Sequence, residues 1–122
     1  MSREHLIAVV DDDETFRAAL VDLLSSLGYG ARGFASAEEF IAGGGTETYD
    51  CVITDIHMPG MSGFDLGRRL LAHDSGLPVI MVTGQAEPGL EATAAAIGAV
   101  RLLRKPFEVD ALTDCLERAL KA

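Results

Sequence analysis

Short apolar runs alternate along the chain with segments in which apolar residues recur every three or four positions. The runs "HLIAVV", "YDCVITD", "LPVIMVTG" and "AVRLLRK" predict strands, and "ARGF" predicts a weak edge strand. The segments "ETFRAALVDLLSSLG", "SAEEFIAGG", "GFDLGRRLLAH", "PGLEATAAAIG" and "EVDALTDCLERALKA" predict helices. Strict alternation of strand and helix predicts a parallel sheet with helices on both faces. The central runs are apolar throughout, which is typical of strands buried on both faces.

Polar residues mark where several of these helices begin. Asp13 is predicted as the N-cap of the first helix, and Ser62 as that of the third. Ser36 with Glu39 three residues later is a capping-box pattern for the second. Gly28 marks the end of the first helix.

Composition narrows the class of protein. A length of 122 residues with 48% apolar content predicts one globular domain over 1–122. A formal net charge of −9 argues against a nucleic-acid or anionic-membrane surface, since both require clustered Lys and Arg. No apolar stretch reaches the roughly 18 residues that a membrane span needs, so we expect a cytoplasmic protein. Cys51 and Cys115 are far apart and are predicted to be buried, reduced thiols.

Polar side chains follow four of the five predicted strands. Asp11 and Asp12 end the first strand, Asp55 the third, Thr83 the fourth and Lys105 the fifth. In an open α/β sheet, ligands bind beyond the carboxyl ends of the strands. We therefore expect these five side chains to converge on one rim of the sheet.

Three carboxylates in one pocket need a compensating positive charge, because each raises the pKa of the others. Lys105 supplies one such charge, and a divalent cation would supply the rest. Carboxylates, a backbone carbonyl and water form a ligand set that suits Mg²⁺, or Mn²⁺, better than an all-protein calcium site.

The segments "VVDDD", "VITDIHMPGMSG", "MVTG" and "RKPF" together resemble the two-component response-regulator receiver domain, the CheY-like family. The resemblance covers essentially the whole chain, and the local sequence is similar to receivers of nitrogen-fixation-type regulators. It implies a (βα)5 doubly wound, flavodoxin-like sandwich with a parallel sheet of order 2-1-3-4-5.

The resemblance also implies a role for each carboxylate. Asp55 would be the phosphoacceptor and a ligand of Mg²⁺. Asp12 would bind the metal directly, Asp11 would bind it through water, and the backbone carbonyl of His57 would complete the set. The phosphoryl donor would be a sensor histidine kinase or a phosphotransfer protein. The domain would then catalyse only its own phosphorylation and dephosphorylation.

The resemblance implies two further features of the site: side chains that bind the phosphoryl oxygens, and a cis peptide bond. Thr83 and Lys105 would hydrogen-bond the phosphoryl group. The Lys105–Pro106 peptide would be cis, an expectation that rests on the resemblance alone.

The chain departs from the family pattern at one position, and two others vary among relatives. The aromatic switch residue three positions before the lysine is Leu102 here, which predicts a weaker switch or one that runs through another residue. His57 and Gln85 occupy positions that modulate phosphoryl lifetime. The His57 imidazole either titrates near neutral pH or is simply solvated, and the sequence leaves both open.

The output surface of the family corresponds to residues 88–104 and the last helix. Ala95, Ala96 and Leu102 would offer small apolar contacts there to a partner or a second copy. Whether a DNA-binding output domain belongs to the same protein stays open.

Three other functions compete with this interpretation. A haloacid-dehalogenase-type phosphatase needs a second aspartate at position 57, which is histidine here. A flavodoxin-type protein binds the phosphate of a flavin after the first strand, where "DDDET" would repel it. A degenerate receiver that only binds proteins is the remaining alternative.

Overall fold

A computed structural model describes residues 5–43, 48–73, 76–85 and 87–120. Strands and helices alternate strictly, as predicted from the apolar pattern. The elements in chain order are β1 (Leu6–Val10), α1 (Glu14–Ser26), β2 (Gly30–Phe34), α2 (Ala37–Ala42), β3 (Cys51–Asp55), α3 (Gly63–Ala72), β4 (Val79–Thr83), α4 (Leu90–Ile97), β5 (Arg101–Arg104) and α5 (Val109–Leu120). No helix within the described ranges combines the length and apolar character needed to span a membrane.

The five strands form one parallel sheet in the order β2-β1-β3-β4-β5. This order confirms the fold that the family resemblance implies, and β2 is an edge strand as predicted. The strand predicted over 99–105 is shorter in the structure, Arg101–Arg104. It starts later because α4 ends with a left-handed Gly98, and the N–H of Ala99 donates to the carbonyl of Ala94.

Apolar residues fill both faces of the sheet, as two layers of helices require. β3 and β4 are buried along their whole length. On one face the helices α2, α3 and α4 cover a cluster that includes Phe34, Phe40, Leu66, Met81 and Ile97. On the other face α1 and α5 cover a cluster that includes Leu20, Leu24, Ile53, Leu112 and Leu116.

The helix starts follow the predicted capping residues, with one difference. Asp13 caps α1 through its side chain, and α3 begins with a complete capping box between Ser62 and Asp65. In α2 the Ser36 hydroxyl accepts the N–H of Glu39 at 3.1 Å. The Glu39 carboxylate bonds the N–H of the residue before Ser36 instead of closing the box. The capping-box prediction for α2 is therefore only half correct.

The two cysteines are buried free thiols, in agreement with the sequence prediction. Burial raises the pKa of the Cys51 thiol to about 12 and also raises that of Cys115. Both groups therefore stay protonated at neutral pH and behave as small apolar side chains.

Gly63 allows α3 to start directly against the end of β3. Its N–H donates to the carbonyl of Ile56 at 2.9 Å. A β-carbon at this position would overlap the carbonyl oxygen of Asp55 and lie 2.9 Å from the Cα of Ile56. Both neighbours are backbone, so neither can move aside without displacing the end of β3.

The substitution Gly63→Ala is therefore expected to destabilise the fold by about 2 kcal/mol or more, because overpacking against backbone cannot relax through a rotamer change. Urea unfolding measures the loss. Gly84→Ala is the matched control, since a β-carbon there meets only Lys105 Cδ at 4.0 Å. Equal stability of the two variants would contradict this account of Gly63.

Candidate functional site

The carboxyl ends of β1, β3 and β5 bring charged side chains together at one rim. One carboxylate oxygen from each of Asp11, Asp12 and Asp55 lies within 4.8 Å of the others. The Lys105 ammonium reaches across the sheet to within 3.0 Å of Asp11 Oδ2 and 3.8 Å of Asp55 Oδ2. Asp11 and Asp55 are buried, whereas Asp12 is exposed. The structure thus places these four residues together, as their positions at strand ends predict.

The loop that carries the first two aspartates is held by its own hydrogen bonds. Asp11 Oδ1 accepts the N–H of Asp13 at 2.9 Å. The Arg17 guanidinium donates to the carbonyl of Asp11 at 2.7 Å. The stem of Arg17 passes over Gly33, where a β-carbon would lie 2.9 Å from Arg17 Cγ. The amino-acid sequence contains no signal for this role of Arg17, because the residue lies on a half-exposed helical face and its partner is a backbone atom.

The electrostatics of the cluster are unbalanced. Burial raises the pKa of Asp55 above its ordinary value of 3.8, and the neighbouring charge of Asp11 raises it further. Lys105 and the N–H of His57, which donates to the Asp55 carboxylate, lower this pKa, while Asp12 raises it. The upward effects prevail, so one ammonium does not compensate three carboxylates.

The oxygen atoms of the acidic cluster can be compared with the ligands that metal ions prefer. Three carboxylates at this separation, one of them open to solvent, provide hard oxygen ligands and leave space for water. That is the chemistry expected of a site for Mg²⁺ or Mn²⁺. The residues present therefore fit a divalent cation.

Thr83 is buried at the end of β4, and its hydroxyl contacts the backbone of Gln85. Its Oγ1 accepts the N–H of Gln85 at 3.1 Å and lies 3.3 Å from the Gln85 carbonyl oxygen. Thr83, Gln85 and the half-buried Leu102 line one groove of about 390 Å³ between α4 and β5. The predicted phosphoryl ligand and the predicted switch residue therefore share a groove that holds space for rearrangement.

His57 is neither free nor simply solvated. Its Nε2 lies 3.1 Å from Glu87 Oε1, so the side chains join the loop after β3 to the loop after β4. Both side chains are substantially exposed. The sequence contains no signal for this pair, because the partners are 30 residues apart and lie in irregular segments.

The segment after β5 contributes two further features. The Lys105–Pro106 peptide is cis, as the resemblance implies. The Lys105 ammonium lies 4.0 Å from the centre of the Phe16 ring. The apolar periodicity of α1 accounts for Phe16 only as a core residue and does not predict this contact.

Comparison with known proteins places these observations in a family. A sequence profile of the response regulator receiver domain matches residues 7–117. The transcriptional regulatory protein FixJ of Bradyrhizobium diazoefficiens is 37% identical over 99% of this chain and 59% of its own length. The C4-dicarboxylate transport transcriptional regulatory protein DctD of Rhizobium meliloti is 39% identical over 98% of the chain and 26% of its own length.

The fold agrees with these sequence matches. The crystal structure of FixJ-N superposes with a TM-score of 0.88 at 31% identity and covers 98% of this chain and 96% of that one. The chain spans little more than half of the full-length FixJ and about a quarter of DctD. The matched residues include the ends of β1, β3 and β5, which carry the three carboxylates and Lys105. The chain belongs to the response regulator receiver domain family.

Proposed function

We propose that residues 1–122 form a single receiver domain that accepts a phosphoryl group on Asp55 in a reaction dependent on Mg²⁺ or Mn²⁺. The donor is a histidine kinase or a phosphotransfer protein. The observation that carries the proposal is the position of Asp55, buried at the end of β3 with Asp11 and Asp12 within 4.8 Å and the Lys105 ammonium at 3.8 Å.

The chemistry assigned to Asp55 is nucleophilic. One carboxylate oxygen attacks the phosphorus of the donor phosphohistidine, forming a P–O bond as the P–N bond breaks and its electron pair returns to the imidazole. Phosphoryl transfer depends mainly on positioning and on neutralising charge on the phosphoryl oxygens. Lys105 is poised for this, since its ammonium already lies near Asp55 and needs only a small shift to donate to a phosphoryl oxygen.

The carboxylates of Asp11, Asp12 and Asp55, with the backbone carbonyl of His57, are the proposed metal ligands. A bound divalent cation supplies the positive charge that lets an anionic phosphoryl group approach an anionic carboxylate. The protein's own contribution is to hold Asp11 in place, through the hydrogen bonds from the Asp13 N–H and the Arg17 guanidinium.

Phosphorylation is proposed to shift a pre-existing equilibrium through Thr83. The Thr83 hydroxyl, now bonded to the Gln85 backbone, would donate to a phosphoryl oxygen instead. Leu102 lines the same groove, and its side chain would change rotamer as Thr83 moves. The surface formed by 88–104 and α5, with exposed Ala95 and Ala96, then contacts an output partner or a second copy.

The acidic cluster distinguishes this proposal from a degenerate receiver that only binds proteins. A protein-binding module gains nothing from three adjacent carboxylates whose charges repel one another, one of which is partly desolvated. FixJ and DctD are named transcriptional regulatory proteins, which supports a regulatory output controlled by this domain.

Incubation with acetyl phosphate and Mg²⁺ is expected to add one phosphoryl group to the protein, measured as intact mass. The adduct should be absent from Asp55→Asn, which lacks the nucleophile, and from samples treated with EDTA. Beryllofluoride binding, followed by NMR, separates rapid hydrolysis from an inert site. A protein that forms no adduct and does not bind beryllofluoride with Mg²⁺ present would be the degenerate alternative.

The charge imbalance also predicts a pH dependence of stability in metal-free buffer. Folding raises the pKa of Asp55, so its contribution to stability is fully present below the unfolded pKa and is lost as pH rises through the folded pKa. Asp55→Asn should therefore unfold at higher urea than the wild type near pH 7, and the difference should shrink toward roughly pH 4. Asp22→Asn, at an exposed position on α1, controls for the loss of one charge. A difference independent of pH would contradict the assignment.

The His57–Glu87 pair is expected to lengthen the lifetime of the phosphoryl group, because it holds the imidazole at the mouth of the site. Glu87→Gln should speed dephosphorylation by about two- to fivefold, the range expected for losing one exposed contact with a carboxylate. The decay of the phosphorylated mass after removal of acetyl phosphate measures the rate. Glu91→Gln on α4 is the matched control, and equal rates for the two variants would exclude this role.

A further inference from the structure

Among the described residues, two carboxylates and an aromatic ring lie close to the Lys105 ammonium. Asp11 Oδ2 lies at 3.0 Å, Asp55 Oδ2 at 3.8 Å, and the centre of the Phe16 ring at 4.0 Å. The Lys105 side chain is only 20% exposed. A cation at this distance from an aromatic face is attracted by the ring quadrupole, and the attraction grows as water is removed.

The Phe16 ring is itself fixed from a second direction. Phe107, two residues after the lysine, contacts it with ring centres 6.0 Å apart and planes at 85°. This edge-to-face geometry is a favourable arrangement for two aromatic rings. The backbone of Phe16 is held as well, because its N–H donates to the Asp13 side chain that caps α1. The ring therefore connects the first turn of α1 to Lys105 and to Phe107, the two residues that flank Pro106.

We propose that Phe16 is a positioning residue that holds the Lys105 ammonium against the phosphoacceptor. The inference rests on the function proposed above and extends it to a residue outside the set of strand-end side chains. An ion pair with a single carboxylate oxygen is directional, whereas an aromatic face attracts a cation over a broad area. The ammonium can thus move from Asp11 toward a phosphoryl oxygen on Asp55 while it keeps its contact with the ring.

A purely structural role for Phe16 makes a different prediction. Leu20 and Leu24 of α1 are almost fully buried and belong to the apolar cluster that α1 and α5 cover. Phe16 is half-buried, and its face is occupied by a charged group. If Phe16 served only the core, leucine would replace it with no consequence specific to Lys105.

The test compares Phe16→Leu, which keeps apolar volume without a ring face, with Phe16→Tyr, which keeps the face. Beryllofluoride titrated at saturating Mg²⁺ should bind the leucine variant about three- to tenfold more weakly, the fold-change expected for a partly desolvated cation–π contact. The tyrosine variant should bind within about twofold of the wild type. The affinity for Mg²⁺ alone should not fall in either variant, because the ring face contacts Lys105, which is not a proposed metal ligand.

NMR of the free protein provides a readout that does not depend on phosphoryl chemistry. Ring current from Phe16 should shift the Lys105 ε-methylene protons upfield in the wild type and in Phe16→Tyr, and this shift should disappear in Phe16→Leu. The positioning role would be overturned if the wild type lacks this upfield shift. It would also be overturned if Phe16→Leu weakens the binding of Mg²⁺ as much as it weakens the binding of beryllofluoride. If the wild type fails to bind beryllofluoride, the proposed function fails, and the Lys105 shift still decides whether Phe16 holds the ammonium.

Discussion

The ion pair between Lys105 and Asp11 is the interaction on which the site depends. It joins the end of β5 to the end of β1 across β4 and β3, and it places a positive charge between two buried carboxylates. Without that charge, Asp11 and Asp55 would be neighbouring buried anions, and the pKa of Asp55 would be raised further. The pair compensates only part of the charge, since the pKa of Asp55 remains raised. The folded protein therefore holds an incomplete electrostatic site that a cation would complete.

Much of the surrounding structure serves to hold these few charges in place. Arg17 fixes the backbone of Asp11 and can do so because the edge strand carries Gly33 beneath its stem. Gly63 lets α3 start against the carbonyl of Asp55, which fixes the loop that follows Asp55. The Phe16 ring contacts the same ammonium, with its centre 4.0 Å from the nitrogen. Each of these three residues acts through a specific contact with backbone or with a charged side chain. A residue of similar size or polarity would therefore not replace it.

The sequence predicts the features that follow from local pattern and from the geometry of a parallel sheet. Apolar periodicity locates the elements, and the convergence of Asp11, Asp55 and Lys105 follows because parallel strands end at the same edge. The strand order required the family resemblance, because periodicity carries no information on which strands are neighbours. The contacts of His57 with Glu87 and of Phe16 with Lys105 join segments distant in the chain, and they depend on side-chain directions that no periodicity encodes. The overlong prediction for β5 has a related cause, since apolar residues that terminate α4 continue the apolar run of the strand.

The leucine at position 102 bears on how the proposed phosphorylation site and the proposed output surface would be coupled. A conformational equilibrium shifts only by the difference in free energy that phosphorylation makes between its two states. A large aromatic ring moving from solvent into the groove beside Thr83 would add buried apolar area to that difference, whereas Leu102 is already half-buried there and adds less. More of the difference must then come from polar contacts, namely the exchange of the Thr83 hydroxyl from the Gln85 backbone to the phosphoryl group and the shift of the Lys105 ammonium. Under the proposed function, the coupling would therefore depend more on how firmly the polar groups are held than on the size of the residue at position 102.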